Sequence, residues 1–181
     1  MSSVSIALRR PALRLLLGAI LGCALALTVA ASASAQPTYR VVNKNSGKAL
    51  MPAGGSTAWG VPIYQRTPQN IPAQYWVLKA EGAGWVSLKN RQSNLCIHPS
   101  NWSRVPGAYL LQASCVTNND ARKWYLFYDG AANAWGFSSY KSLLYMDIEE
   151  SSMLNNALAV QANYSSTSAS QRWYLEYIGD Y

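Results

Sequence analysis

Three carboxylates stand close together in the last third of the chain, Asp147, Glu149 and Glu150. A glycosidase needs two such groups facing each other across a cleft. Residues 147 and 149 on one strand would point the same way, because strand side chains alternate with a period of two, so the trio does not read as a catalytic pair. The chain has a single histidine, His98, and no G-x-S-x-G, H-E-x-x-H or Walker-type glycine loop. One histidine without an acidic cluster also falls short of a metal-ligand set. No catalytic residue, cofactor or metal is therefore expected. The residue types that remain are aromatic. Trp59 and Trp102 lie in loops rich in Gly, Pro and Ser, where a large exposed ring serves as a binding face.

The elements that must position these residues are written as a repeat. Gln171-Arg172-Trp173-Tyr174-Leu175 is preceded by Gln74-Tyr75-Trp76-Val77-Leu78 and by Arg122-Lys123-Trp124-Tyr125-Leu126, so the tryptophans fall at intervals of 48 and 49 residues. A second phrase keeps the same time. Asn43 to Pro52 matches Asn90 to Pro99 at Asn, Ser and Pro, and the third copy, Tyr140 to Asp147, keeps the serine and the apolar pair. Inside each repeat the apolar residues come in short bursts bounded by turn residues, as in Tyr39 to Val42, Val61 to Tyr64 and Tyr75 to Leu78, and no window after Gln36 sustains a helical stripe. The expected fold is all-β. A solenoid would need capping repeats and a three-bladed propeller would be too small to close, which leaves a β-trefoil with pseudo-threefold symmetry and repeats of about 38–84, 85–133 and 134–181. Trp76, Trp124 and Trp173 are then expected in a shared core with Leu78, Leu126 and Leu175 beside them.

Residues 1–35 carry Arg9, Arg10 and Arg14, an apolar run from Leu15 to Ala30, and Ala33-Ser34-Ala35. That is the order of a secretory signal with cleavage before Gln36, and it implies an extracellular destination with no membrane span in the mature chain. The Arg9-Arg10 pair leaves Sec and twin-arginine export both open. Cleavage would remove three of fifteen Lys+Arg and none of eight Asp+Glu, leaving a net charge of +4 on residues 36–181. The basic residues are scattered singly, which argues against a nucleic-acid partner.

The threefold Gln-x-Trp phrase, with Ser-x-x-Cys-Ile upstream and a cysteine before the second tryptophan, resembles the ricin B-type lectin family of β-trefoils. The resemblance implies a disulfide between Cys96 and Cys115, lost in the other repeats, where Ala49 and Tyr145 match the first cysteine and Pro68 and Ser165 the second. It also implies carbohydrate, a glycan or polysaccharide, as the partner. In that family each sugar site has an aspartate two places after the first cysteine, an aromatic platform two places before the second, and a polar residue ahead of Gln-x-Trp. A carboxylate gathers two hydroxyls and a flat ring covers the C–H face of a pyranose. The aspartate position holds Met51, His98 and Asp147, the platform position Arg66, Ala113 and Asn163, and the polar position Ala73, Ala121 and Ser170. The third repeat therefore carries the expected site: Asp147, Asn163, Ser170 and Gln171, with Tyr145 or Tyr164 as the aromatic. Asp147 also reads as an acceptor of backbone N–H groups at a strand end. The function implied is that of a secreted, non-catalytic carbohydrate-binding module with partly eroded sites. The alternative is a scaffold that binds a protein partner through Trp59 and Trp102, similar to the trefoil subunits of cytolethal distending toxins.

Overall fold

A computed structural model describes residues 36–116 and 120–180. The expected leader, with its arginines and cleavage site, lies outside the described residues. Among the described residues twelve strands follow one another, joined by turns, loops and one-turn 3-10 helices. They form three groups of four: β1 (Pro37–Asn43), β2 (Ala49–Pro52), β3 (Ile63–Arg66) and β4 (Tyr75–Gly82); β5 (Trp85–Asn90), β6 (Cys96–Pro99), β7 (Leu110–Ala113) and β8 (Trp124–Asp129); β9 (Ala134–Ser139), β10 (Tyr145–Ile148), β11 (Ala159–Ala162) and β12 (Trp173–Asp180).

Six of them close a ring of antiparallel pairs: β1 with β4, β4 with β5, β5 with β8, β8 with β9, β9 with β12, and β12 with β1. Closure removes the open sheet edges that would otherwise invite pairing with other chains. The remaining strands pair as hairpins, β2 with β3, β6 with β7 and β10 with β11. Single bridges between Pro62 and Leu111, Tyr109 and Val160, and Tyr64 and Leu158 join the three hairpins in a triangle over one end of the barrel. This is the β-trefoil.

The core is threefold at the level of side chains. Trp76, Trp124 and Trp173 are fully buried, and each indole N–H donates to a backbone carbonyl at the same place in its unit, Leu50 O at 3.0 Å, Ile97 O at 3.3 Å and Met146 O at 3.3 Å. A buried indole needs that partner. Layers of Val41, Leu88 and Phe137, and of Ile63, Leu110 and Ala159, complete the packing, with Leu78, Leu126 and Leu175 half-buried against it. Ala159 is smaller than its sisters, and Ile148 adds bulk where they have Pro52 and Pro99.

Candidate functional site

The hairpins place the three residues aligned with the family's aspartate at one equivalent position. Met51 faces Tyr64, His98 faces Leu111 and Asp147 faces Val160 across the strands. Asp147 is 8% exposed. Its Oδ1 accepts from the backbone N–H of Ile148 at 2.7 Å and its Oδ2 from Gln171 Nε2 at 2.9 Å. The reading of Asp147 as an acceptor of a backbone N–H is the one these bonds display, and they occupy two of the carboxylate's roughly four lone-pair directions. His98 is a buried strand residue. Its Nε2 lies 3.1 Å from Ser114 O; a carbonyl can only accept, so Nε2 carries the proton. Burial lowers its pKa to about 4, helped by the Arg122 charge and opposed by the Ser114 bond, so the imidazole is neutral at pH 7.

The glutamine of the Gln-x-Trp phrase is a latch. Gln171 is buried; besides Asp147 its amide donates to Asn163 O at 2.8 Å and accepts from Ser165 N at 2.9 Å. Gln74 does the same to Thr67 O and Gln69 N in the first unit. In the second, Arg122 donates to Val116 O and pairs with Glu81. These bonds tie the segment leaving the hairpin to the turn before each core tryptophan, so Gln171 positions Asp147 rather than meeting a ligand. Ser170 is corrected more strongly: it is buried, and its hydroxyl is engaged with Ser151 and Ser168.

The register also corrects Asn163. Arg66 pairs with Ala49, Ala113 with Cys96, and Ala162 with Tyr145, so Ala162 holds the platform position and Asn163 lies one step beyond, exposed. Tyr145 and Tyr164 then occupy the places of Cys96 and Cys115. The cysteines form the disulfide, with sulfurs 2.04 Å and Cα atoms 5.2 Å apart. The tyrosine rings lie 4.8 Å apart in the same place in the third unit, and Tyr145 also meets Phe127 edge-on. Tyr145 is thereby committed to packing, while Tyr164 remains exposed beside Asn163. Glu149 and Glu150 are not on the strand with Asp147. β10 ends at Ile148, and both glutamates are exposed in the 3-10 turn that follows.

The sequence places Trp59 and Trp102 in loops of two different units, with no sign that they meet. In the fold they line one slot of about 50 Å³ with His98, Asn101 and Leu111. The cause is a second set of glutamines that the repeat phrase did not single out. Gln65, Gln112 and Gln161 are fully buried, and each amide group donates to two carbonyls of the preceding unit's hairpin loop: Gln112 to Ser56 O and Ala58 O, Gln161 to Ser103 O and Val105 O, Gln65 to Ser152 O and Leu154 O. Each amide oxygen accepts from Ser46, Ser93 or Ser142 of its own unit. Every loop is thus carried over the next unit's hairpin. The signal was present, since these glutamines recur in step with the tryptophans. The first unit's counterpart is a wider cleft of about 450 Å³ lined by Met51, Tyr64, Arg66 and Gln92. Among the described residues no three His, Cys, Asp or Glu side chains gather to hold a metal ion, and no helix is long and apolar enough to cross a membrane.

A closed six-stranded barrel capped by three hairpins, each tied down by a Gln-x-Trp latch or its Arg122 variant, defines a lectin-like β-trefoil. The chain belongs to the family of ricin-type beta-trefoil lectin domain-like proteins, which matches residues 27–113 and 72–163. No curated protein sequence matches closely enough to count as a relative. Among solved structures the chain is similar to the designed threefold-symmetric protein ThreeFoil, at 29% identity over 77% of this chain and 97% of that one, with a TM-score of 0.73. It is also similar to part of an exo-beta-1,3-galactanase from Clostridium thermocellum, at 25% identity and a TM-score of 0.73, covering 78% of this chain and 30% of the galactanase. The Haemophilus ducreyi cytolethal distending toxin shares the fold at 14% identity and a TM-score of 0.63, over 77% of this chain and 82% of that one.

Proposed function

We propose that this protein is a secreted, non-catalytic carbohydrate-recognition module whose third unit keeps a working sugar contact at Asp147 while the equivalent positions of the other units have lost theirs. One observation carries the reading: of the three equivalent positions, only Asp147 bears a carboxylate, and the fold holds it by one bond to each oxygen. The unused lone pairs can accept two neighbouring sugar hydroxyls in charge-assisted bonds. Asn163 and Tyr164, exposed next to the carbonyl that shares Gln171 with Asp147, supply a polar side chain and a ring. Met51 and the neutral His98 cannot gather hydroxyls in this way. Membership of a lectin domain-like family supports the ligand class.

A glycan array on residues 36–181, followed by calorimetric titration of the best sugar, tests the assignment. Asp147→Asn should weaken binding at least tenfold, and Asn163→Ala should weaken it less. An amide presents a single oxygen to two N–H donors, so Asp147→Asn should also cost about 1–3 kcal/mol of stability, and circular dichroism must establish that the variant is folded. Sugar binding that survives Asp147→Asn would end this assignment. For secretion, the first residue of the exported protein should be Gln36.

A further inference from the structure

Two departures from the threefold pattern meet in one slot. Gly60, Gly107 and Asn156 share a positive φ at one loop position, and the residue before each is Trp59, Pro106 and Asn155. Gly55, Trp102 and Ser151 share another positive-φ position in the 3-10 turns. So the first unit has a tryptophan where its sisters have proline and asparagine, and the second has one where its sisters have glycine and serine. Gln112 carries the 56–60 loop across the unit boundary, reinforced by Gly60 N donating to Gln112 O at 2.9 Å, and the two indoles come to the same place.

Packing does not account for them. Trp59 is 70% and Trp102 54% exposed. Trp102 has φ +58°, a left-handed backbone that is costly for a bulky side chain and free for glycine. The turn imposes this backbone in all three units, Gly55 and Ser151 included, so the second unit carries its indole against the backbone preference; the His98 ring meets that indole edge-on with centroids 5.4 Å apart. The lining carries no charge. His98 stands where a carboxylate would otherwise sit and is neutral, and Asn101 and Leu111 complete the walls. The slot between the rings is shallow, about 50 Å³, so a ligand there lies across the indoles instead of sinking between them. A pyranose needs no greater depth, since its C–H face covers an indole while its hydroxyls stay in water.

We propose that Trp59 and Trp102 form a second binding site, spanning the first two units, for an uncharged polysaccharide gripped along its chain rather than at its end. Both rings stand exposed, so a polymer laid across them can continue past the site. This inference takes its ligand class from the carbohydrate reading above, but it uses none of the residues of the third unit.

Tryptophan fluorescence titration of the mature protein with cellohexaose, xylohexaose, laminarihexaose and mannohexaose, each beside its monosaccharide, tests it. At least one hexasaccharide should give a saturable shift, bind at least tenfold tighter than its monosaccharide, and keep its affinity in 1 M NaCl. Trp59→Asn and Trp102→Gly, which install the sister units' residues, should each weaken that binding at least tenfold, whereas Asp147→Asn should leave it unchanged. Trp102→Gly should also unfold no earlier than wild type, because glycine accepts the left-handed backbone; a clear loss of stability would show the indole to be structural and overturn the proposal. Hexasaccharide binding abolished by Asp147→Asn alone, or a protein partner lost with the tryptophans while no hexasaccharide binds, would overturn it and leave the third-unit assignment to its own test. If no carbohydrate binds either site, both readings fall together.

Discussion

His98 shows how much one substitution changes a site. At the position where Asp147 brings a charge, the second unit buries an imidazole whose pKa falls to about 4, chiefly through desolvation. Its ordinary value is near 6.5, so between those two values the unfolded chain binds a proton that the folded chain refuses, and stability falls as pH falls through that window. The loss is at most about 3 kcal/mol from the size of the shift. Glu81 and Asp129 add to the fall only at the acid end of this window, and they do so equally in wild type and in a His98 variant. Burial raises the Glu81 pKa, but bonds from Arg122 and Ser87 outweigh that and leave it lowered. Asp129 is lowered first by the Ala132 N–H and then by Arg172. Chemical denaturation of wild type and His98→Gln from pH 7 to 4 should therefore show a steeper decline in wild type, and parallel curves would mean that the imidazole protonates in the folded protein. Residue type made His98 and Asp147 legible in the sequence. Asn163 was misplaced because Gln171 latches to Asn163 O across eight positions, whereas Gln74 reaches Thr67 O across seven. The extra residue is absorbed in the turn, and counting back from the glutamine carries the error into the hairpin.

At the scale of elements, the strands follow from short apolar runs between turn residues, while the way each loop overlaps its neighbour follows from buried amides that no hydrophobic pattern reveals. Gln65, Gln112 and Gln161 are polar residues in fully buried strand positions, and their period was the one clue to them. Replacing Gln112 by Leu keeps the volume but strands the carbonyls of Ser56 and Ala58 and the Ser93 hydroxyl. It should cost about 1–3 kcal/mol and speed hydrogen exchange at Gly60, whose amide keeps its bond to the backbone carbonyl of residue 112 but whose loop loses its side-chain anchor. Unchanged protection at Gly60 would mean that the loop holds itself. The disulfide acts on the same scale. It closes a short loop across a separation of 19 residues, so Cys115→Ser should lower stability by about 3 kcal/mol in the chain-entropy model. The third unit has Tyr145 on Tyr164 in that place, a contact that a reductant does not break.

The whole molecule is a ring, which decides how damage spreads. β12 pairs with β1 over seven residue pairs and with β9 beyond, so the last strand joins the first unit to the third. The three central tryptophans belong to one shared cluster, to which the first unit adds only a small satellite of Met51, Tyr64 and Ala73. This level was the most legible in the sequence: a repeat of fixed period with an apolar ring at each return can bury those rings together only by closing on itself. Closure also makes the three tryptophans equivalent in energy although their units differ at the surface. Each is fully buried with its indole N–H on the matching carbonyl. Trp76→Ala, Trp124→Ala and Trp173→Ala should therefore each cost about 3–5 kcal/mol, the range for deleting a buried aromatic. Unfolding should remain one transition by both fluorescence and circular dichroism, since a breach in any unit opens the common core. A variant that stayed folded at nearly wild-type stability, or one that split the transition in two, would show that its unit stands apart from the ring.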